Sequence, residues 1–276
     1  ALEAGFNLPY GCRNGACGAC KGKVVEGSID YGNYQAEALT NTEKQAGMAL
    51  FCCALPLSDV VIESREVTAA NAIQPRIMPC RVQKMQRLSH DVMLLLLKLP
   101  SNERMQFLAG QYVDFLLKDG KRRAFSLANA PHSDDLLEVH LRLIPGGQFT
   151  EYVFNEMQEK AIMRLEGPFG SFYLREDNDR PIIFVAGGTG FAPIKGIIEH
   201  ALHHGIKRQM ILYWGARTLQ DWYMQELPLQ WQQAHPNFSY IPVLSEPLPE
   251  DAWQGRSGLV HQAVLEDHAD LSSYQV

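Results

Sequence analysis

Residues 181–205, PIIFVAGGTGFAPIKGIIEHALHHG, contain a complete strand–turn–helix unit. Ile182–Ala186 is an unbroken apolar run, the pattern of a strand buried on both faces of a parallel sheet. Gly187, Gly188 and Gly190 make the turn, and the helical pattern that follows stops at Gly205. The theme repeats downstream. QMILYWGA (209–216) reads as a strand, DWYMQELPLQWQQAH (221–235) as a helix, FSYIPVLS (238–245) as a strand and LVHQAVLED (259–267) as a helix. This alternation predicts a doubly wound parallel sheet over residues 176–276.

Upstream the pattern changes. In residues 79–175 the runs CRVQKMQRLS, DVMLLLLKL, QYVDFLL, RAFSLA and LLEVHLRLI are separated by turn signals such as KDGK and NAPHSDD. With one helical run, FTEYVFNEM, they predict a small antiparallel β-barrel. Residues 69–78 read as a linker. Residues 1–68 form a third unit, with a helix end at 1–8 closed by Gly5, an irregular loop and the short strands KGKVVEG and DVVIES. The predicted chain is multi-domain, α+β and α/β.

Composition agrees. Hydrophobic residues make up 46% of the 276 and charged residues 20%, which excludes a disordered chain. The net charge of −6 divides as −3, +2 and −5 over residues 1–68, 76–174 and 175–276. No basic surface is available as a general nucleic-acid footprint. The longest apolar run, Val92–Leu97, is far short of a membrane span.

Five of the six cysteines lie in the first 53 residues, and three of them fall within nine. That clustering points to metal ligands in a reducing compartment rather than to a disulfide framework. Cys12-x4-Cys17-x2-Cys20, with Cys52 further on, has the plant-type spacing for a [2Fe–2S] cluster. Gly11, Gly15 and Gly18 let the backbone turn tightly enough to bring its N–H groups to the sulfurs. Four thiolates also suit a structural zinc, although zinc sites favour paired knuckles. Cys80 reads as a small buried apolar residue.

YGCRNGACGACKGKV (10–24) and LFCCALPLSDVVIE (50–63) resemble the C-terminal two-thirds of a plant-type ferredoxin, which implies a β-grasp fold. The match puts Cys52 on the fourth ligand position, and strand alternation is expected to point Cys53 to the other face. Arg123-Ala124-Phe125-Ser126 resembles the R-x-Y-S flavin motif of ferredoxin–NADP⁺ reductase-like proteins. There Arg123 would neutralise diphosphate, Phe125 would stack on the flavin and the Ser126 hydroxyl would reach near N5. Phe125 and Ser126 are thus the groups expected at the reacting atoms. Phe in place of Tyr keeps the stacking and loses the phenol.

The resemblance extends further. His140, Arg142 and Ile144 would line the FAD, and Gly146, Gly147, Phe149 and Thr150 open a helix whose N-terminus suits phosphate. Gly167-Pro168-Phe169-Gly170-Ser171-Phe172 matches the segment that closes the family's barrel. Gly188, Thr189, Gly190 and Pro193 match its GGTGxxP nicotinamide segment. Arg217, Asp221 and Ser245 follow at strand ends, where open α/β sheets bind ligands.

The whole chain is similar to the electron-transfer reductases built from ferredoxin, flavin barrel and nicotinamide domain. That group includes the phenol hydroxylase and methane monooxygenase reductase components and CDP-6-deoxy-Δ3,4-glucoseen reductase. The resemblance implies transfer from NAD(P)H to FAD, then through the cluster to a partner oxygenase or dehydrase component, in the cytoplasm, with no membrane or nucleic-acid partner. NADH is the expected donor, because Glu246 follows Ser245 where NADPH-using relatives carry Arg. A stand-alone flavin or ferric reductase and a non-catalytic iron–sulfur sensor are the alternatives. The chain reads as starting inside the ferredoxin helix and stopping before the family's Cys-Gly-Pro strand. It is accordingly expected to bind FAD and to reduce it slowly. His200, His203 and His204 read as a solvated helix face, and Trp214, Trp222, Trp231 and Trp253 as packing residues, with cofactor contact the alternative for Trp214.

Overall fold

A computed structural model describes residues 4–69 and 73–276. Two compact units are present, residues 1–76 with 167–172 and residues 77–166 with 173–276.

The first unit contains β1 (Phe6–Asn7), β2 (Lys21–Glu26), β3 (Ile29–Asp30), α1 (Asn41–Gln45), β4 (Met48–Leu50), β5 (Leu55–Pro56), β6 (Val61–Glu63) and β7 (Thr68–Ala69). β2 is the centre of a three-stranded antiparallel sheet, with Lys21 opposite Leu50 and Lys23 opposite Glu63. Gly22 is required there, since a Cβ would stand 2.3 Å from the Phe51 ring and 2.6 Å from the Glu63 carbonyl oxygen. Thr40 and Glu43 form a capping box that starts α1. The core is small, with Cys20, Leu39 and Leu50 buried beneath Tyr10, Tyr31 and Tyr34.

Two expectations fail here. Phe6–Asn7 is a strand paired with Ala69 and Thr68, not the end of a helix; Gly5, at φ +81°, turns the chain into that pairing. The expected linker is also shorter than 69–78, because β8 already begins at Arg76. Residues 1–3 and 70–72 lie outside the described residues.

The second unit begins with the barrel. Its elements are β8 (Arg76–Arg87), β9 (Val92–Lys98), β10 (Tyr112–Leu116), β11 (Arg122–Ser126), β12 (Leu137–Arg142), α2 (Gln148–Asn155) and β13 (Ile162–Phe169). The six strands run in the order β11-β10-β13-β8-β9-β12. An antiparallel bridge between Leu127 and Val139 joins the two edges, so the sheet closes on itself. Val82, Leu95, Val113, Phe115, Val139 and Leu165 fill the interior. Cys80 belongs to that core, and burial pushes its thiol up to about 12.

The second lobe of this unit follows as β14 (Ile182–Gly187), α3 (Phe191–His203), β15 (Met210–Ala216), α4 (Glu226–Ala234), β16 (Phe238–Leu244), β17 (Arg256–Ser257) and α5 (Val260–Asp267). The four strands are parallel and lie in chain order. Strand alternation separates two cores. Phe184, Leu212 and Trp214 pack with Ile194, Ile197 and Ile198 of α3 and Trp231 of α4. Ile183, Tyr213 and Val243 pack with Ala263 and Val264 of α5 on the opposite face. After α5 the chain crosses back, and Gln275 bridges in parallel to Ile182 at the free edge of β14. That return makes the sheet doubly wound. The helix expected from Asp221 starts only at Glu226, because Thr218 and Asp221 cap a separate short turn.

Candidate functional site

Three segments converge on one cleft of about 560 Å³ in the second unit. β11 brings Arg123, Ala124, Phe125 and Ser126; β12, the loop after it and the first turn of α2 bring His140, Arg142, Ile144, Gly147, Phe149 and Thr150; the turn after β14 and the first turn of α3 bring Thr189, Gly190, Ala192 and Pro193. Thirteen of the eighteen cofactor residues expected from sequence therefore line a single cavity. Phe125 is held by Phe115 and Phe149, with ring centroids 5.7 and 5.6 Å away. Such an aromatic wall beside two guanidinium groups, Arg123 and Arg142, suits a flat ring system joined to a diphosphate.

The phosphate end is built locally. A Cβ at Gly147, the N-cap of α2, would lie 2.8 Å from both the Ile144 carbonyl oxygen and the Thr150 hydroxyl. Thr150 Oγ1 accepts from Ile144 N–H at 3.1 Å and locks the turn. The N–H groups that open α2 then face a site suited to anions.

Five expected residues lie elsewhere. Gly146 is exposed, and its N–H donates to Glu151 at 2.7 Å. Gly188, at φ +50°, receives the Trp214 indole N–H on its carbonyl at 3.0 Å. A side chain at Gly188 would meet the Arg142 guanidinium at 2.7 Å. Arg217 and Ser245 close the ends of β15 and β16, where Ser245 N–H donates to Ala216 O at 2.9 Å and Glu246 N–H to Arg217 O at 2.8 Å. Asp221 is 2% exposed and takes hydrogen bonds from Thr218 N–H and Oγ1 at 2.9 and 3.1 Å. That carboxylate holds a turn through Oδ2, while its Oδ1 has no hydrogen-bond partner among the described residues. Trp214 stacks on Phe191 at 3.9 Å and is fully buried, as a packing residue should be.

Behind the cleft lies a network that the sequence reading missed. His140 Nε2 sits 2.7 Å from Glu138, and its Nδ1 lies 3.1 Å from the Tyr223 hydroxyl. Glu138 also meets the Lys195 ammonium at 3.3 Å, and Lys195 reaches Glu199 at 3.0 Å. Burial pushes His140 below its usual range. Burial opposes ionisation of Glu138, but the His140 N–H and the Lys195 charge hold its carboxyl below the usual range. Glu199 is pushed up by burial. The available signal was the alternation Glu138, His140, Arg142 along one face of β12, and a lysine among the isoleucines of α3.

The cysteine loop lies in the first unit. Cys17 N–H and Ala16 N–H point at Cys12 Sγ at 3.3 and 3.4 Å, and Cys12 N–H points at Cys17 Sγ at 3.4 Å. Burial disfavours the Cys12 thiolate, yet the N–H groups of Asn14, Ala16 and Cys17 outweigh it and bring the thiol down to about 7. Cys20 is pushed up to about 12 by burial and by Cys52. Gly15 takes φ +74°, where a Cβ would lie 2.8 Å from the Asn33 carbonyl oxygen. Backbone donors aimed at sulfur are what thiolate ligands of an iron–sulfur cluster need, so the residues fit that group. Cys53 departs from expectation. Residues 51–53 form a turn, not a strand, and Cys53 Sγ lies 3.5 Å from Cys52 Sγ.

Comparison with known proteins places this geometry in a class. Residues 1–57 match the 2Fe-2S iron-sulfur cluster binding domain, 79–173 the oxidoreductase FAD-binding domain and 184–276 the oxidoreductase NAD-binding domain. The chain belongs to the family of iron–sulfur flavoprotein reductases that join these three domains, and it is an NAD(P)H-dependent electron-transfer oxidoreductase. Among its relatives is CDP-6-deoxy-L-threo-D-glycero-4-hexulose-3-dehydrase reductase of Yersinia pestis, 37% identical over 100% of this chain and 82% of that protein. The phenol 2-monooxygenase reductase component DmpP of a Pseudomonas species is 38% identical over 95% and 75%. The crystal structure of Amycolatopsis cytochrome P450 reductase GcoB superposes with a TM-score of 0.77 at 33% identity, covering 99% of this chain and 82% of that one. Among the described residues no helix is long and apolar enough to cross a membrane.

Proposed function

We propose that this chain takes electrons from NADH at the cleft and delivers them singly to a dehydrase or oxygenase component in the cytoplasm. The observation that carries the reading is the convergence of the 123–126, 140–150 and 189–193 segments on one cavity, in a chain that also carries a cysteine loop with backbone N–H groups aimed at the Cys12 and Cys17 sulfurs. The proposed domains are residues 1–68, 79–175 and 176–276. FAD supplies hydride acceptance and one-electron release when bound, and the [2Fe–2S] cluster supplies a one-electron carrier.

The protein's share is binding and orientation. Phe125 provides an aromatic face, the Ser126 hydroxyl a donor at the reacting edge, and Arg123 and Arg142 the charge that neutralises diphosphate. Gly147 and Thr150 present the α2 N-terminus. Thr189, Gly190 and Pro193 seat the nicotinamide, while Arg217, Ser245 and Glu246 sit where the adenosine ribose would lie. Glu246 repels a 2′-phosphate and can accept from a 2′-hydroxyl, which favours NADH. Cys12, Cys17, Cys20 and Cys52 hold the cluster. The partner class follows from the relatives, whose names attach them to a dehydrase and a phenol monooxygenase.

Anaerobic titration of the purified holoprotein with NADH tests this reading. Bleaching of both flavin and cluster absorption supports it. Bleaching of flavin alone supports a simple flavin reductase, and no bleaching of either overturns the enzymatic reading.

A further inference from the structure

Four histidines meet outside the flavin cleft. His200 and His203 are on the last turn of α3, His204 is its C-cap, and His132 comes from the short turn Pro131–Ser133 between β11 and β12. The spacing along α3 alone reads as a solvated face. The fold adds a fourth imidazole from another element. The His132 ring stacks on His203 with centroids 3.7 Å apart and lies 6.4 Å from the His204 ring, while the His200 and His204 rings are 4.1 Å apart.

Hydrogen bonding fixes which ring nitrogens carry lone pairs. His204 Nδ1 lies 2.9 Å from the His200 carbonyl oxygen, which can only accept, so Nδ1 bears the proton and Nε2 the lone pair. His200 Nε2 lies 3.1 Å from the Glu176 carboxylate, so it is the donor and Nδ1 is the bare base. That Nδ1 is buried and has no hydrogen-bond partner among the described residues. A histidine whose second nitrogen donates to a carboxylate or a backbone carbonyl has the orientation and basicity of a metal ligand.

We propose that His132, His200 and His204 form a site for one borderline divalent transition-metal ion, of the zinc or nickel class, with His203 stacked behind His132. All the donors are imidazole nitrogens, which select such ions over magnesium or calcium. The ligand nitrogens of the three rings do not all lie within 4.8 Å of one another, so binding requires the imidazoles to reorient, and His132 and His204 are exposed to solvent. The ion would bridge the barrel turn to α3 and tie the two lobes of the second unit together.

The other candidate ligand group, His90, Asp91 and Asp221, is tighter, but each of its acids already has a cation. Arg142 pairs with Asp91 at 2.8 Å and Arg217 approaches Asp221 at 3.8 Å, so positive charge is disfavoured there.

Calorimetric titration of untagged holoprotein with Ni²⁺, with Mg²⁺ as control, tests the site, and the cluster and flavin absorption is recorded throughout. We expect one Ni²⁺ per chain, no heat with Mg²⁺ and unchanged visible bands. His132→Asn and, separately, His200→Ala should each weaken Ni²⁺ binding at least tenfold, and His90→Asn should leave it unchanged. Absence of saturable Ni²⁺ binding overturns the proposal. So does binding that survives both cluster substitutions, binding lost in His90→Asn, or binding accompanied by bleaching of the iron–sulfur bands.

Discussion

Lys195 of α3 lies 3.3 Å from the Glu138 carboxylate of β12, so the nicotinamide lobe is joined to the barrel by a buried ion pair. The lysine also donates to the Ala128 carbonyl at 3.2 Å and reaches Glu199, so its charge is fully engaged. Holding two lobes at fixed distance matters for any reaction in which a ligand of one must meet a ligand of the other.

Lys195→Met should destabilise the protein by about 3 kcal/mol, because it leaves the carboxyls of Glu138 and Glu199 buried without a cation. Adding Glu138→Gln should recover part of the loss. Chemical denaturation of the three proteins measures this. Equal stability of wild type and Lys195→Met would show that the pair contributes nothing.

His140 gives a pH dependence with a definite sign. Burial lowers its folded pKa below the ordinary histidine value of about 6.5, so the unfolded chain binds the extra proton first. The contribution to stability is present above 6.5 and is lost as pH falls from there toward the lower folded value. Thermal midpoints should therefore drop between about pH 7 and pH 5, with a shallower slope in His140→Gln. Identical slopes would place the effect on other groups.

Phe125 has the aromatic face expected to carry the flavin ring. Phe125→Ala should weaken FAD retention about tenfold, roughly 1.4 kcal/mol, while Phe125→Tyr keeps it. Equilibrium dialysis with absorption at the flavin band gives the occupancy. Undiminished occupancy in the alanine variant would move the stacking surface elsewhere in the cleft.

Much of this was legible in the sequence, for physical reasons. The run Ile182–Ala186 could only be a strand buried on both faces, and the alternation after it set the order of the parallel sheet. The cleft was legible because two of its segments, 140–150 and 189–193, carry glycine and proline where the backbone must turn, and the third, 123–126, carries an arginine, an aromatic ring and a hydroxyl in one short run. Phe6–Asn7 was not, since two residues have no period and their partners lie about sixty positions away. The Glu138–Lys195 pair was also hidden, because nothing in either element's own pattern names its partner and only the tertiary fold puts the two side chains together.

The proposed preference for NADH rests on the strand ends. Glu246 is exposed beside Arg217, with its backbone N–H on the Arg217 carbonyl at 2.8 Å. Neutralising the carboxylate removes the repulsion and leaves the guanidinium to meet a 2′-phosphate. Glu246→Ser should raise kcat/KM for NADPH about tenfold, worth about 1.4 kcal/mol, with little change for NADH. Wild-type activity that is equal or better with NADPH would refute the assignment outright.

The last test concerns two adjacent thiols. Cys52 and Cys53 lie with their sulfurs 3.5 Å apart on one turn, so strand alternation does not separate them and geometry alone brings both near the loop. What favours Cys52 is its packing beside Cys20 and Leu50 in the small core, together with its place in the ferredoxin-like LFCCALPLSD stretch. Its interaction with Cys20 puts two expected ligands side by side. Serine at position 52 should therefore abolish the visible iron–sulfur bands or leave them unstable to gel filtration. Serine at position 53 should preserve them, with iron and sulfide content near two each per chain. The reverse pattern would assign the fourth ligand to Cys53, and loss of the bands in both would make the pair jointly essential.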